Sequence, residues 1–167
     1  MDSVTQSALE GLAGSTERQI AALRRLAFKF EVQQMMLSGG RSMWLDETLA
    51  ELEGAIADVQ HADREFRSSL GEAAVGLALS PESTLREVAG VAPEPWGYIF
   101  DQGRDELQRS VDRVSALCTE NRKLLARGYL ATGAALSLLG VDTGSSYRPD
   151  GAPSRAEGSA NLLNAKA

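Results

Sequence analysis

The sequence predicts an all-α protein: an elongated antiparallel three-helix coiled-coil bundle with one short connecting helix and a disordered C-terminal tail. Over long stretches, apolar residues recur at alternating spacings of three and four, as they do on one packed stripe of a helix. Segments rich in glycine and proline separate these stretches, and such segments end helices. We expect a helical bundle over residues 1–140, helices at 3–37, 43–71, 84–91 and 95–139, and a flexible tail over 141–167.

The second helical segment carries the clearest apolar stripe. It forms a heptad seam that only Asp63 interrupts, and such a seam requires a partner helix. Asp63 either specifies the register as a buried polar group or lies where the seam turns to solvent. The predicted seam consists of Leu45, Leu49, Leu52, Ile56, Val59, Asp63, Phe66 and Leu70.

Gly39 and Gly40 separate this segment from the first one, whose stripe includes Leu23, Phe30 and Leu37. Paired glycines favour the end of a helix and a turn, so we predict a helical hairpin, with one long bent helix as the alternative. The first segment is mainly basic from its middle onward and the second is mainly acidic. Antiparallel packing would place opposite charges side by side, which favours this orientation.

A connector with several prolines follows the second segment. Within it, Thr84-Leu85-Arg86-Glu87 has the form of a capping box, which predicts a short helix from Leu85 to Val91. Leu85, Val88 and Val91 would cover one end of the bundle. The apolar stripe returns from Trp96 to Leu139, and at about 1.5 Å per residue this is the longest helix. Its end is expected to project beyond the first two.

Composition restricts the available chemistry. The 167 residues include one histidine, His61, and one cysteine, Cys118, so general bases, nucleophiles and soft metal ligands are scarce. We therefore expect no enzymatic activity, no metal and no cofactor. The formal charge of -6 disfavours binding to nucleic acid or to an anionic membrane. With no signal peptide and no apolar run long enough to span a bilayer, a cytoplasmic protein is expected.

The last helix contains the most suggestive surface. From Leu124 to Leu139 its apolar residues occur almost all round the helix, so a single neighbour cannot bury them all. Exposed apolar surface of this kind usually marks a binding site. The alternatives are a close helix crossing through Gly128, Ala131 and Ala135, or a homodimer contact. Just before this stretch, Asn121 occupies a seam position, where a polar group can fix helix pairing.

The order of these motifs resembles the FlgN family of flagellar type III export chaperones. The resemblance extends over about residues 10–151 and rests on the hairpin, the Trp44-Leu45 start of the second helix and Leu85-Arg86-Glu87-Val88-Ala89. Its most telling part is Asn121-Arg122-Lys123-Leu124-Leu125, followed by the long helix and then Tyr147-Arg148-Pro149-Asp150-Gly151.

The resemblance implies a cytoplasmic chaperone that binds hook-filament junction proteins through their C-terminal amphipathic segments. It would prevent their premature assembly and deliver them to the type III export apparatus. Tyr147 would contact the export gate. The competing interpretation is a structural coiled-coil homodimer without client binding. The client-binding residues that the resemblance implies are Leu124, Leu125, Leu130, Leu136, Leu138 and Leu139.

Overall fold

A computed structural model of the chain describes residues 2–40 and 42–138. These residues form helices and connecting turns without a strand, which confirms the all-α class. The predicted tail lies outside the described residues. The chain divides into two compact units, Met1–Ala126 and Arg127–Ala167. The helices are α1 (Ser3–Ser38), α2 (Leu45–Gly76), α3 (Leu85–Val91) and α4 (Trp96–Leu138), with a 3-10 turn at Ser42–Trp44 before α2.

Helices α1 and α2 form an antiparallel hairpin. Near the start of α1, the Thr5 hydroxyl donates to the carbonyl oxygen of Gly76 at 3.1 Å, at the end of α2. Near the opposite end, Lys29 of α1 pairs with Glu51 of α2 at 2.8 Å. Residue numbers therefore rise along one helix as they fall along the other, and the basic and acidic stretches meet as the charge pattern predicts. The alternative of one long bent helix is wrong.

The buried stripe of α2 includes part of the predicted heptad seam: Leu52 is buried, and Val59, Phe66 and Leu70 pack against the two core clusters. At three seam positions the buried residue is instead the preceding one. Leu49 and Ile56 are exposed by 44% and 38%, and Asp63 forms a surface ion pair with Arg67 at 2.7 Å. The positions that the sequence pattern passed over carry small side chains, which allow helix backbones to approach closely. The buried residues of α2 are Thr48, Leu52, Ala55, Ala62, Ala73 and Ala74.

Helix α2 also continues to Gly76, beyond its predicted end at residue 71. Gly71 stays helical because its lack of a side chain serves a close approach: a Cβ there would lie 3.3 Å from the carbonyl oxygen of Pro81. Helix α2 ends where Ala78 takes a left-handed conformation, with φ at 59°, and the Leu79 N–H bonds back to the carbonyl oxygen of Ala74 at 2.8 Å. At residue 71, glycine therefore permits close packing and does not terminate the helix.

Helix α3 begins at the capping box that the sequence indicates. The Glu87 N–H donates to the Thr84 hydroxyl at 3.3 Å, and the Glu87 carboxylate accepts from the Thr84 N–H at 2.7 Å. The short helix then covers one end of the hairpin. Val91, which was also predicted to cover this end, is 52% exposed and does not take part. The third buried residue of α3 is Ala89. The cluster at this end consists of Leu9, Leu12, Ala73, Ala74, Leu85, Val88, Ala89 and Phe100.

The part of α4 within the first unit runs parallel to α1. Arg24 pairs with Glu106 and Glu31 pairs with Arg113, and both pairs are separated by 82 positions in the chain. A constant separation means that the two helices advance in the same direction. The supercoiled packing of a coiled coil stays a prediction. A second cluster in this unit contains Leu26, Phe30, Leu52 and Ala55, with Val59, Val114, Leu117 and Cys118 packed against it.

The hydrogen bonds of Glu106 make the stability of the fold depend on pH. Hydrogen bonds from Arg24, and also from Arg109, lower the pKa of the Glu106 carboxyl in the folded chain. A lowered pKa in the folded state adds stability above the ordinary carboxyl pKa, and that stability is lost as the pH falls through the folded value. We expect Glu106→Gln to lower Tm at neutral pH, with the difference from the parent chain vanishing in acid.

Thermal unfolding followed by circular dichroism at several pH values measures this effect. Glu82→Gln is the matched control, because Glu82 is exposed and has no ion pair in the part of the chain that the structure describes. A gap between Glu106→Gln and the parent that stays constant down to acid pH would contradict the assignment.

Candidate functional site

The C-terminal part of α4 exposes large apolar side chains. In the first unit, Leu124 is half-buried and Leu125 is 42% exposed. In the second unit, Leu130 is 70% and Leu138 is 89% exposed. Most of the Leu130 side chain and most of the Leu138 side chain are therefore in contact with water, so covering them with a partner would be favourable.

Three predicted site residues lie partly or wholly outside the residues that the structure describes. Leu136 lies within α4, but its side chain is outside the described part of the structure. Leu139 and Tyr147 lie outside the described residues altogether. The structure therefore places Leu124, Leu125, Leu130 and Leu138 on one helix and leaves the roles of all six leucines as predictions.

Tyr129 is the residue that sequence reasoning left out of the site. It is 82% exposed in the second unit, more than Leu130 beside it. A tyrosine with this exposure offers a large apolar ring together with a hydroxyl, a combination enriched at protein interfaces. The sequence contains one signal that could have identified it: Tyr129 is the one aromatic residue between Leu124 and Leu139.

Asn121 fixes α4 against α1 just before this apolar stretch. Its side chain is 2% exposed, and its Nδ2 donates to the carbonyl oxygen of Phe30 at 2.8 Å and to Oε1 of Gln33 at 3.0 Å. Among the described residues with an assigned burial, it is the last buried one of α4. The Asn121 Oδ1 atom is buried without a hydrogen-bond partner, which is unfavourable. Asn121 therefore joins α4 to α1 through two donated hydrogen bonds and leaves one of its own acceptors unpaired.

We expect Asn121→Ala to lower the free energy of unfolding by about 2 kcal/mol, because it leaves the buried Gln33 Oε1 without its donor and removes packed atoms. Urea unfolding measures the change. Gln108→Ala is the control: Gln108 is exposed on the same helix and bonds only to Asp112 in the described structure, so its change should be below about 0.5 kcal/mol. Equal losses in both variants would remove Asn121 from this role.

The residue types that sequence analysis considered for chemistry lie apart from one another. His61 is on the surface of α2, with Nε2 3.3 Å from a carboxylate oxygen of Glu65, whereas Cys118 is half-buried beside the second core cluster. Residues 2–40 and 42–138 contain no cluster of histidine, cysteine and acidic side chains that could hold a metal ion. None of the helices in the same ranges is both long and apolar enough to cross a membrane.

Comparison with known proteins supports the resemblance seen in the motifs. Residues 1–155 match the family described as FlgN protein, which is nearly the whole chain. No curated protein and no solved structure gave a match. The match includes α1 to α4 and extends beyond Tyr147, so it contains every residue of the candidate site. The chain therefore belongs to the FlgN family of flagellar export chaperones.

Proposed function

We propose that this chain binds hook-filament junction proteins in the cytoplasm, prevents their premature assembly and delivers them to the type III export apparatus. Membership of the FlgN family supports the chaperone role. The observation that supports a binding site on α4 is the exposure of Leu130 and Leu138, at 70% and 89%. The candidate contacts are Leu124, Leu125, Leu130, Leu136, Leu138 and Leu139, to which the structure adds Tyr129.

The binding mechanism follows from the helix and its composition. An amphipathic segment of a client lacks a partner for its apolar stripe until it assembles, and an exposed apolar helix can provide that partner. Each leucine side chain that becomes buried contributes about 1.5–3 kcal/mol. After the entropic cost of association, a few such residues support a complex of about micromolar Kd, which can still release its client.

Charge has a small part in this contact. Between Leu124 and Leu138 the only charged residue is Arg127, so apolar burial dominates and the affinity should depend little on ionic strength. The acidic character of the chain is concentrated elsewhere, along α2. The client surface is therefore expected to select by apolar pattern.

Binding of a junction-protein C-terminal peptide to the full chain tests the proposal. Titration calorimetry should give a Kd of about micromolar order, and sedimentation velocity should show the complex. Raising the salt concentration should change the affinity only slightly. Tight self-association of the chain without any peptide binding would instead establish the structural homodimer and refute the chaperone mechanism.

Tyr147 is proposed as a contact to the export gate, separate from the client site. We expect Tyr147→Ala to leave the affinity for the client peptide unchanged but to reduce swimming in a motility assay, because delivery and not binding is impaired. Tyr98→Ala is the control, since Tyr98 is a 64% exposed tyrosine near the start of α4. Normal swimming of the Tyr147→Ala strain would remove Tyr147 from the site.

A further inference from the structure

The end of the hairpin where α1 begins and α2 ends carries an apolar groove. The groove has a volume of about 860 Å³ and lies between the two helices and Pro81. Val4 of α1 and Val75 of α2 line it and are 75% and 60% exposed. The lining residues are distinct from those of the core cluster at this end, so the internal packing of the first unit does not use this surface. Covering such apolar surface with a partner is favourable.

Small side chains line much of the groove. They are Ser7 and Ala8 on α1 and Ser68 and Gly71 on α2. Small residues let the backbone of a further helix come close. The hydrogen bond from the Thr5 hydroxyl to the Gly76 carbonyl oxygen, at 3.1 Å, holds α1 and α2 together at this end. The groove is therefore already formed in the free chain, which lowers the cost of filling it.

The groove lies far from the residues that precede the exposed apolar part of α4. Asn121 of α4 bonds to Phe30 and Gln33 of α1, whereas the groove is lined by α1 only as far as Ala8. From Ala8 to Phe30 the helix rises by about 33 Å. The groove is therefore a different surface from the one that Leu124 begins, one turn after Asn121.

The two charged residues that line the groove have opposite signs. They are Arg67 and Glu72, both on α2. Arg67 donates through Nε to Asp63 at 2.7 Å, and Glu72 accepts from the Ser68 hydroxyl through Oε1 at 3.2 Å. In the described residues, the Nη atoms of Arg67 and Oε2 of Glu72 have no polar partner. A partner that presents the same two charges in reverse order along its helix would complement both of them.

We propose that this groove joins two copies of the chain around a two-fold axis, with their α2 helices antiparallel. A two-fold interface uses the same patch on both copies, so the patch must supply both a hollow and the group that fills it. Here the small residues supply the hollow, and the exposed Val75 fills that of the other copy. Antiparallel α2 helices also bring Arg67 of each copy near Glu72 of the other, which forms two ion pairs.

This contact is independent of the function proposed for α4, and it is expected to be weak. The groove is lined by 11 residues, whereas a standard protein interface uses about 20–30 residues on each side. The formal charge of -6 on each chain also opposes association, although salt screens that repulsion beyond about 8 Å. We expect a reversible monomer–dimer equilibrium with a Kd of about 100 μM.

Sedimentation equilibrium of the full chain, from about 10 μM to about 1 mM, measures this Kd. Val75→Ser removes apolar contact from both halves of the interface, so it should raise the Kd at least about tenfold. Val4→Asp should do the same by placing a charge in the groove. An acidic residue in the first turn of α1 favours the helix, so this variant stays folded. Val111→Ser is the control, since Val111 is a 48% exposed valine on α4; its Kd should equal that of the parent.

Exchange of the two charges then tests the two-fold arrangement. Arg67→Glu alone and Glu72→Arg alone should each raise the Kd about tenfold, because like charges then meet twice. The double variant should regain the Kd of the parent. An equimolar mixture of the two single variants should also regain it, because each ion pair is then restored between unlike chains. An effect confined to one chain cannot be rescued by mixing.

Three results would overturn the proposal. A chain that stays monomeric up to about 1 mM does not form this contact. Self-association that is lost in Leu130→Ser but kept in Val75→Ser would assign the contact to α4, as in the competing homodimer interpretation. No gain on mixing the two charge variants would exclude antiparallel α2 helices. Binding of a junction-protein peptide tests the α4 site separately, since Val75→Ser should leave that affinity unchanged.

Discussion

The double variant Leu130→Ser and Leu138→Ser is expected to bind a junction-protein peptide at least about a hundredfold more weakly than the parent chain. Each leucine contributes about 1.5–3 kcal/mol when a partner buries it, and two such losses multiply in the affinity. Because these side chains are 70% and 89% exposed in the free chain, their replacement removes little internal packing. Tm should therefore stay within the range of ordinary surface variants.

Titration calorimetry with the same peptide and thermal unfolding of the same preparations separate the two quantities. Val111→Ser is the control, because Val111 is a 48% exposed valine on α4 within the first unit. A large fall in Tm for the double variant would show that the leucines are packed in the folded protein. Unchanged affinity with unchanged Tm would place client binding away from Leu130 and Leu138.

The sequence specified the helices well because their signals are local. The Gly39-Gly40 pair ends α1, and Thr84 with Glu87 caps α3 through bonds between neighbouring residues. Such signals act within a few residues of the chain, so they are readable without knowing the rest of the fold. Periodicity of apolar residues adds the helix length but not the angular position of the buried stripe.

The buried stripe of α2 could be predicted only in part from the periodicity of its apolar residues. Of the predicted seam, Leu52 is buried and Val59, Phe66 and Leu70 pack against the core clusters. At Leu49, Ile56 and Asp63, however, the buried residues are the preceding ones, Thr48, Ala55 and Ala62. Alanine has a weak apolar signal but lets the facing backbone come close, and the larger Leu and Ile then lie beside the contact. Which of two adjacent stripes is buried depends on the partner helices, information that no single segment of the sequence contains.

The exposure of the candidate site residues could also be predicted only in part from the sequence. The apolar character of α4 is visible in the sequence, where Leu124 and Leu130 are equivalent candidates. In the structure Leu124 is half-buried and Leu130 is 70% exposed. Exposure depends on which neighbouring elements cover a side chain, and the sequence of a single helix does not contain that information.

Phe100→Ala is expected to have the largest effect on stability. Phe100 has 0% exposure and belongs to the cluster in which α1, α2 and α3 meet the start of α4. Its ring also stacks on Trp96 with centroids 5.9 Å apart. Removal of a buried phenylalanine ring lowers the free energy of unfolding by about 3–5 kcal/mol, a large share of the roughly 5–15 kcal/mol typical of a domain.

Urea unfolding at neutral pH measures this loss, with Phe100→Leu and Tyr98→Ala beside it. Phe100→Leu keeps most of the buried volume and should lose less than about 1.5 kcal/mol. Tyr98 lies only two residues before Phe100 but is 64% exposed, so its replacement should change stability by less than about 0.5 kcal/mol. If Phe100→Ala lost no more than Phe100→Leu, the cluster would be able to collapse around the missing ring, and Phe100 would not be what joins α4 to the hairpin. The expected order, with a larger loss of stability in Phe100→Ala than in the two other variants, would show that Phe100 holds the start of α4 against the hairpin.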